Sequence, residues 1–491
     1  MALRARLSAP REAPKQWPWH HAKWGEVKTS IFWGGDRRLE AENYLSSGYG
    51  IRLAMDARST SKTTLGELAE VWQPSRLKGI QVSRTHGTPF LAATQVFDLR
   101  PVPRKYLSLN RTDSVPERMV ERGQIMVTCS GSVGRATLAH LPHEHTLISH
   151  DLLRVTPREA KSWGWIYGYL RSPQGRAMMS AAQYGHIIKH LETSHLRALP
   201  VPMLRGDLLD DFNLKATRIL DLRIEAFGKA REAEERFAKS FPSLGTILEP
   251  PLGFERRARE LFGKRRRLDA SCFTPTSEQI EEAFKKDACR VDSLADVTDQ
   301  VFVPGRFKHV YGDGGMPYLD SADILEVNPD ITKFVLSLSP KEQKAYHVEP
   351  GWLLIPCSGQ VYGNIGHSVL ATEWHTAKVH TNHLMRVAPN ESIRSGYLQC
   401  VLGHPELGRP RLVKFAFGSS VPEISPGDAL PVAIPRLAPA TEEKLADLMD
   451  ASAVARDKAD ELEQQLGVEA ERLIDLFLEG TATSFAIDRA G

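Results

Sequence analysis

Two segments of the chain place apolar or small side chains three and four positions apart, which is the spacing of a coiled-coil seam. The first seam consists of Leu209, Phe212, Ala216, Ile219, Ala226, Ala230, Ala233 and Phe237, with Arg223 at one step. The second consists of Leu445, Leu448, Ser452, Ala455, Ala459, Leu462, Leu466, Leu473 and Leu476. A helix over residues 206–238 would be about 50 Å long, and so narrow a stripe needs a partner of equal length. We therefore predict two long helices that pack antiparallel as a coiled coil.

Shorter patterns outside these segments predict a mixed fold. Residues 123–128 and 152–155 are β-type runs next to turn residues, so we expect strands there. The segment 165–181 predicts one helix that opens near Ser162. Two prolines in residues 199–202 fix an extended backbone and exclude helix. Together these elements indicate the α+β class.

The sequence is also duplicated over most of its length. Arg-Leu-Glu-Ala at 38–41 returns as Arg-Leu-Asp-Ala at 267–270, and Gly-Thr-Pro-Phe-Leu at 87–91 returns as Gly-Met-Pro-Tyr-Leu at 315–319. Cys-Ser-Gly-Ser, which begins at Cys129, returns as Cys-Ser-Gly-Gln. The copies are 228 or 229 positions apart, whereas solenoid repeats have a period of about 20 to 50 residues. The chain therefore contains two copies of a whole domain.

These patterns divide the chain into seven segments. We predict an N-terminal extension at 1–37, a first domain copy at 38–205, a long helix at 206–240, a basic linker at 241–266, a second copy at 267–436, a second long helix at 437–480 and a tail at 481–491. Antiparallel helices would relate the copies by an approximate two-fold axis. The basic cluster of the linker consists of Arg256, Arg257, Arg259, Lys264, Arg265 and Arg266. A solvated helix face and a contact with phosphates both fit this cluster.

Composition is that of an ordinary soluble globular protein, with 42% hydrophobic and 25% charged residues among 491. No long apolar run and no secretory signal are present, so we expect a cytoplasmic protein without a membrane contact. The five cysteines form no CxxC pair and predict neither disulfides nor a zinc site. Cys129 and Cys357 are expected to be buried small apolar groups. The histidines at 140, 143, 145, 150, 380 and 383 are interpreted as loop residues, and no metal site is predicted.

Charge is distributed unevenly between the two copies. Residues 63–205 hold 18 Lys and Arg against 10 Asp and Glu, a net charge of +8, whereas residues 291–436 hold 12 against 15, a net charge of −3. The first copy therefore has the charge of a polyanion-binding domain. The second has that property only if its charges are segregated on its surface.

Motifs for several reactions are missing. No Asn/Asp-Pro-Pro-Tyr/Phe motif, no Gly-rich loop for S-adenosylmethionine and no Walker lysine motif is present. A loose nuclease pattern does occur, because Asp330 is followed by Glu342 and Lys344, and two carboxylates with a lysine can hold a metal ion that activates water. Two alternatives therefore remain for the function of the chain. One is a nuclease of this kind, and the other is a coiled-coil scaffold whose end domains bind no DNA.

The order of the repeated motifs resembles one known family. In the first copy, residues 123–134 lead a strand into Ser-Gly-Ser-Val-Gly, and the segments 170–175, 184–191 and 199–202 follow before the long helix. The second copy shows the same order more loosely, at 351–363, 404–408, 417–424 and 430–431. This order is similar to that of the specificity subunit of type I restriction-modification systems, which serve in phage defence.

The resemblance implies a non-catalytic subunit with two target-recognition domains, each of which reads one half of a bipartite double-stranded DNA site. It implies that the paired helices set the gap between the half-sites and dock two methyltransferase subunits. A restriction and translocase subunit would complete the assembly. S-adenosylmethionine, ATP and Mg²⁺ would then be cofactors of the partner subunits, with none on this chain.

Candidate DNA-binding residues follow from the loops of both copies. In the first copy they are Arg76, Lys78, Arg84, Ser130, Ser132, Arg135, His186 and Lys189. In the second copy they are Arg306, Lys308, Ser358, Gln360, Asn364, Ser419 and Ser420. The segment 185–190 is expected to match 418–423, so that Lys189 and His190 correspond to Pro422 and Glu423. The second copy therefore loses a cation at this place.

Overall fold

The computed structural model describes residues 41–58, 61–76, 78–112, 115–184, 189–245, 253–261, 267 and 269–480. The predicted extension at 1–37, the tail at 481–491 and parts of the basic linker lie outside these residues. The chain divides into a first unit, Met1–Asp221 with Ala459–Gly491, and a second unit, Leu222–Lys458. Within the described ranges, no helix combines the length and the apolar character that a membrane span needs.

The first unit contains ten strands and seven short helices among its described residues. The strands are β1 (Lys62–Thr64), β2 (Ala69–Trp72), β3 (Gln81–Val82), β4 (Thr88–Leu91), β5 (Lys105–Leu107), β6 (Ile125–Thr128), β7 (Ala136–Leu138), β8 (Leu147–Ile148), β9 (Leu152–Pro157) and β10 (Pro200–Pro202). The helices are α1 (Ala41–Leu45), α2 (Ser47–Asp56), α3 (Leu65–Leu68), α4 (Val115–Arg118), α5 (Trp163–Arg171), α6 (Pro173–Ala182) and α7 (Thr193–Arg197). Two long helices follow elsewhere in the chain, α8 (Gly206–Lys239) and α16 (Pro439–Glu479).

The second unit has a corresponding set of elements. Its strands are β11 (Arg290–Ser293), β12 (Thr298–Phe302), β13 (Tyr311–Leu319), β14 (Lys333–Val335), β15 (Leu353–Pro356), β16 (Val369–Leu370), β17 (Val379–His380), β18 (Leu384–Pro389) and β19 (Ala433–Arg436). Its short helices are α9 (Ala258–Leu261), α10 (Pro275–Asp287), α11 (Pro340–Tyr346), α12 (Glu373–Thr376), α13 (Ser395–Gly403), α14 (Arg409–Val413) and α15 (Pro426–Ala429).

The main sheet has the same strand order in the two units. The main sheet of the first unit has the order β2-β9-β6-β7, and that of the second has the order β12-β18-β15-β16. A second sheet in each unit, here called the small sheet, has four strands in the first unit and three in the second, and it contains one parallel pair, β4 with β8 or β13 with β17. A two-stranded ladder, β1 with β10 or β11 with β19, closes each domain. The predicted α+β class and the predicted duplication are confirmed.

The long helices pack within each unit as the seam predicts. In the first unit, Phe212 and Ala216 of α8 share a core with Leu466 and Leu473 of α16. In the second unit the late part of α8 meets the early part of α16, where Phe237 shares a core with Leu445 and other apolar residues. The beginning of one helix thus meets the end of the other, which is the order of an antiparallel pair.

In each domain copy, a glycine in a short helix allows that helix to pack closely against a long helix. A Cβ on Gly164 of α5 would lie 2.4 Å from the Phe212 carbonyl oxygen, and one on Gly396 of α13 would lie 2.5 Å from that of Ala446. Nearby, Trp165 Nε1 donates to the Pro202 carbonyl at 2.9 Å, and Tyr397 Oη donates to the Pro435 carbonyl at 2.6 Å. These contacts fix the closing ladder of each domain against its helices.

The single helix predicted over 165–181 is wrong in one respect, because the structure has two helices there. The break falls at Ser172, whose hydroxyl accepts a hydrogen bond from the Gly175 amide at 3.0 Å. Pro173 lacks an amide hydrogen and clashes with a preceding helical turn, so it starts α6 and ends α5.

A buried carboxyl group joins α16 to α5 inside the first unit. Glu463 is 3% exposed, accepts a hydrogen bond from Tyr167 Oη and lies 3.4 Å from Arg171 Nη1. Burial raises the pKa of Glu463 to about 8, and the cation of Arg135 opposes that shift. A carboxyl group in this setting favours its neutral, protonated form.

We expect the stability of the wild-type chain to fall, relative to Glu463→Gln, as the pH rises. Between the ordinary pKa of glutamate and pH 8 the folded chain keeps a proton that the unfolded chain has lost, so the free energy of unfolding decreases with rising pH. The amide mimics the neutral acid and lacks this dependence. From pH 5 to pH 8 the difference should grow by about 3 kcal/mol in urea unfolding. Glu461→Gln, an exposed neighbour on the same helix, is the control, and parallel curves for all three proteins would contradict the prediction.

Candidate nucleic-acid interface

A tight loop follows the central strand of each main sheet. In the first unit this serine loop comprises residues 130–134, and its counterpart comprises residues 358–364. Gly131 and Gly134 have φ of 72° and 85°, which is the left-handed region that glycine adopts without strain. The Gly134 amide donates to the Thr128 carbonyl at 2.9 Å and closes the turn. The glycines therefore form a turn between strands.

A second segment holds each serine loop from one side, and we call its described residues the clasp, 189–191 in the first unit and 418–424 in the second. Gly131 donates to the Lys189 carbonyl at 3.2 Å, and Gly359 donates to the Pro422 carbonyl at 2.9 Å. Isolated bridges join Ser130 to His190 in one unit and Ser358 to Glu423 in the other. The structure thus places these segments at equivalent positions in the two copies.

Several candidate residues of the second unit lie together on this loop and clasp. Gln360 is exposed, and its Nε2 donates to the Ser420 carbonyl at 3.0 Å. Ser419 and Ser420 are exposed beside Gly418, while Ser358 and Asn364 are half-buried. These side chains offer hydroxyl and amide groups on one surface.

The candidate residues of the first unit differ more from one another in exposure. Ser132 is exposed, and Ser130 and Lys189 are half-buried. Arg135 is also half-buried, and its guanidinium lies 4.0 Å from the centre of the Phe97 ring. It therefore packs on an aromatic ring. His186 lies outside the described residues.

Four of the remaining cationic candidates lie in a second loop before the small sheet, which we call the cation loop, with described residues 76, 78–80 and 306–310. Arg76 and Lys78 are exposed in the first unit, and Arg306 and Lys308 are exposed in the second. Arg84 is exposed farther along, in the short 3-10 helix Arg84–His86. The second copy therefore keeps two exposed cations at matching positions although its net charge is negative.

Both cation loops are anchored at corresponding points. At the far end, Ser108 donates to the Ile80 carbonyl at 3.0 Å, and Leu336 donates to the Val310 carbonyl at 2.9 Å. At the near end, buried Arg118 donates to the Ser75 carbonyl at 2.8 Å. In the second unit Tyr346 Oη donates to the Gly305 carbonyl. The loops are thus fixed surface features, on which cations can face a ligand at a set position.

Two buried arginines that the sequence analysis missed hold the turns that precede β9 and β18. Arg154 and Arg386 are 0% exposed and occupy the same position in β9 and β18. Arg154 Nη1 donates to the Leu152 carbonyl at 2.6 Å, and Arg386 Nη1 donates to the Leu384 carbonyl at 2.7 Å. Burial lowers the pKa of both guanidinium groups to about 10. The repeated pattern Leu-Leu-Arg-Val and Leu-Met-Arg-Val was the available signal.

Comparison with known proteins gives matches among solved structures. No protein-family model matches the chain, and no curated protein matches it. The chain is similar to the S subunit of a type I restriction-modification system from M. genitalium, with 16% identity and a TM-score of 0.35 over 86% of this chain and 96% of that chain. It is also similar to the HsdS subunit from Thermoanaerobacter tengcongensis, with 14% identity and a TM-score of 0.26 over 86% and 97%.

A third similar chain comes from a structure described as the complex assembly and conformational transition of the type I R-M system. It has 14% identity and a TM-score of 0.27, over 86% of this chain and 98% of that chain. The first two are structures of the family that the motifs resemble.

Two cysteines and two histidines near the loops are buried structural groups, and His380 lies in β17 rather than in the expected loop. Cys129 and Cys357 are 2% and 4% exposed, and burial raises the pKa of each thiol to about 11, as expected of small apolar residues. Burial lowers the pKa of His143 to about 4 and that of His380 to about 3. Within the described ranges no group of three or more His, Cys, Asp or Glu side chains could hold a metal ion.

In the loose nuclease pattern, one carboxylate, that of Glu342, forms a helix cap. Glu342 accepts hydrogen bonds from the amide and the hydroxyl of Ser339, at 2.8 and 2.7 Å, and so caps the first turn of α11. Lys344 is exposed in the last turn of the same helix. One of the two carboxylates of this pattern, that of Glu342, therefore has a structural role that the sequence pattern did not reveal.

Proposed function

We propose that this chain is a non-catalytic subunit that reads a bipartite double-stranded DNA site, with one half-site for each unit. One observation carries the proposal: both units present the same serine loop, clasp and cation loop, but with different side chains at the exposed positions. At an exposed position Ser132 is replaced by Gln360, and at a half-buried position Lys189 is replaced by Pro422. A shared scaffold with different polar groups suits a protein that reads two different short sequences.

The two kinds of loop suit the two kinds of DNA contact. Cations on phosphates give affinity and fix the register, whereas hydroxyl, amide and carboxyl groups on base edges give sequence choice. Arg76, Lys78, Arg306 and Lys308 would bind phosphates. The serine loop and clasp would face base edges, with Gln360, Ser419 and Ser420 as readers in the second unit.

The long helices have a role in the same proposal. DNA half-sites lie at a fixed distance and rotation, so their reader needs a stiff spacer. Helices α8 and α16 belong partly to each unit and would serve as that spacer. Their exposed faces would recruit two methyltransferase subunits and a restriction and translocase subunit, which would supply S-adenosylmethionine, ATP and Mg²⁺ chemistry.

The direct test is a selection of bound duplexes from a random-sequence library, with the full chain and its methyltransferase partner. The proposal predicts two constant blocks separated by a fixed number of unspecified base pairs. Recovery of one contiguous block, or of no enriched sequence, would refute the bipartite reading. The second outcome would favour the coiled-coil scaffold.

Removal of the second cation loop should lower the salt dependence of DNA binding. We expect the double variant Arg306→Ala/Lys308→Ala to reduce the slope of log K against log salt by about 2, because each lost phosphate contact reduces it by about 0.9. Fluorescence anisotropy with the selected duplex at several salt concentrations measures the slope. Lys341→Ala/Lys344→Ala removes two other exposed cations of the same unit and is the control. Equal slopes for the two double variants would count against a phosphate role for this loop.

A further inference from the structure

The serine at the start of each serine loop contacts the clasp side chain, which is a carboxylate in the second unit and an imidazole in the first. In the second unit, Ser358 Oγ donates to Glu423 Oε1 at 3.3 Å, and His383 Nδ1 lies 3.1 Å from the same hydroxyl. In the first unit the clasp residue is the imidazole, since Ser130 Oγ lies 3.0 Å from His190 Nδ1.

The other flanking position is marked by one backbone hydrogen bond in each unit. The Cys357 amide donates to the His383 carbonyl at 2.9 Å, and the Cys129 amide donates to the Asp151 carbonyl at 3.0 Å. His383 and Asp151 are therefore equivalent. The units share the serine and the backbone and differ in which side carries the acid.

In the His190 tautomer whose Nδ1 accepts from the Ser130 hydroxyl, this exchange gives the two clasps opposite hydrogen-bonding character. Glu423 is exposed, and among the described residues Ser358 is the hydrogen-bond partner of its carboxylate. A carboxylate accepts hydrogen bonds, whereas a neutral imidazole whose Nδ1 accepts from a serine hydroxyl keeps a donor at Nε2. In the major groove the cytosine N4 amino group is a donor, and guanine N7 and O6 are acceptors.

We propose that the clasp residue is a specificity determinant: Glu423 selects cytosine at one position of its half-site, and His190 selects guanine at the corresponding position of the other. The serine hydroxyl orients each side chain by holding one of its polar atoms. This assignment rests on the proposed function, because it concerns bases read by the same loops. Arg306 and Lys308 on the cation loop would position the duplex but would not choose the base.

The competing explanation is that the clasp side chain only braces the serine loop. The two explanations differ in what a substitution changes. A brace, when removed, lowers affinity for every sequence alike. A reader, when replaced by another reader, changes one base of the preferred site, because glutamine pairs with adenine through N6 and N7 and a donor imidazole suits guanine.

The test uses the full chain with its methyltransferase partner and selection from a random duplex library. Wild type should enrich cytosine at one position of one block, Glu423→Gln should enrich adenine there, and Glu423→His should enrich guanine, each by about tenfold or more. His190→Glu should convert a guanine of the other block to cytosine. Glu391→Gln, another exposed glutamate of the second unit, is the control and should leave every position unchanged.

The outcomes separate the inference from the function on which it rests. If Glu423→Gln and Glu423→His select the same bases as the wild type at every position, the clasp side chain only supports the serine loop. The inference is then wrong while the proposed function stands. If the wild-type chain selects no sequence, both fail. Thermal unfolding of each variant identifies a folding defect, and the near-isosteric Glu423→Gln distinguishes a reader from a brace even if Glu423→His does not fold.

Discussion

Replacement of Arg386 with alanine is expected to destabilise the second unit by about 3 to 5 kcal/mol. The guanidinium is fully buried and donates to the carbonyls of Leu384, Thr381 and His380, at 2.7, 3.3 and 3.2 Å. Alanine would leave three buried carbonyl oxygens without these donors and a cavity beside them. Urea unfolding of the full chain, followed by hydrogen exchange of peptides from the second unit, measures the loss.

A matched surface arginine separates burial from charge. Arg394 forms ion pairs with Glu443, Asp447 and Asp450, but its side chain is 42% exposed. Its replacement with alanine should therefore cost about 1 kcal/mol or less. Arg386→Lys should not restore stability, because an ammonium group lacks the planar fork that reaches several carbonyls. Equal losses for Arg386→Ala and Arg394→Ala would contradict the structural role.

The elements that the sequence predicted best are those whose signal is local and repeated. The apolar seams gave the two long helices with nearly correct ends, because a narrow stripe at a spacing of three and four suits few other structures. The repeat of whole motifs gave the duplicated domain. The break at Ser172 was missed although Pro173 marked it, since the apolar pattern continues across it.

Charge counting shows why the sites were harder to predict. The +8 of the first copy includes Arg118 and Arg154, and the −3 of the second includes Arg386 and Arg411, all of which are 0% exposed. Without two buried arginines each, the copies would carry +6 and −5. A sequence shows the charge of an arginine but not its burial, which tertiary packing decides. The two exposed cations of the second cation loop therefore matter more than the net charge indicates.

The pairing of loop and clasp shows the same limit. The serine loop and the clasp are about 60 positions apart in both copies, and no periodic pattern links them. The repeat aligned residues 185–190 with residues 418–423, but the contact of His190 with Ser130 depends on the folded sheet. The exchange of acid and imidazole between the copies likewise depends on contacts of the clasp with the serine loop, which only the folded sheet brings together.

Replacement of Phe237 with alanine is expected to destabilise the second unit by about 3 to 5 kcal/mol. Phe237 is 0% exposed near the end of α8, and its ring centre lies 5.0 Å from that of Phe241, 6.0 Å from Phe284 and 6.3 Å from Tyr397. Alanine removes the ring from this cluster, and the rigid aromatic neighbours fill the cavity only in part. Helix α8 belongs to both units, so urea unfolding alone does not show which unit is destabilised. Hydrogen exchange should show faster exchange in peptides of the second unit.

Two variants on the same helix make this result specific. Leu214 is 69% exposed, so Leu214→Ala should change the free energy of unfolding by about 0.5 kcal/mol or less. Phe212→Ala should cost as much as Phe237→Ala but open the first unit, since its ring packs 5.1 Å from that of Trp165. Were both phenylalanine variants to increase exchange equally in both units, α8 would transmit each loss along its length. The two domain copies would then unfold as one cooperative body rather than each around its own core.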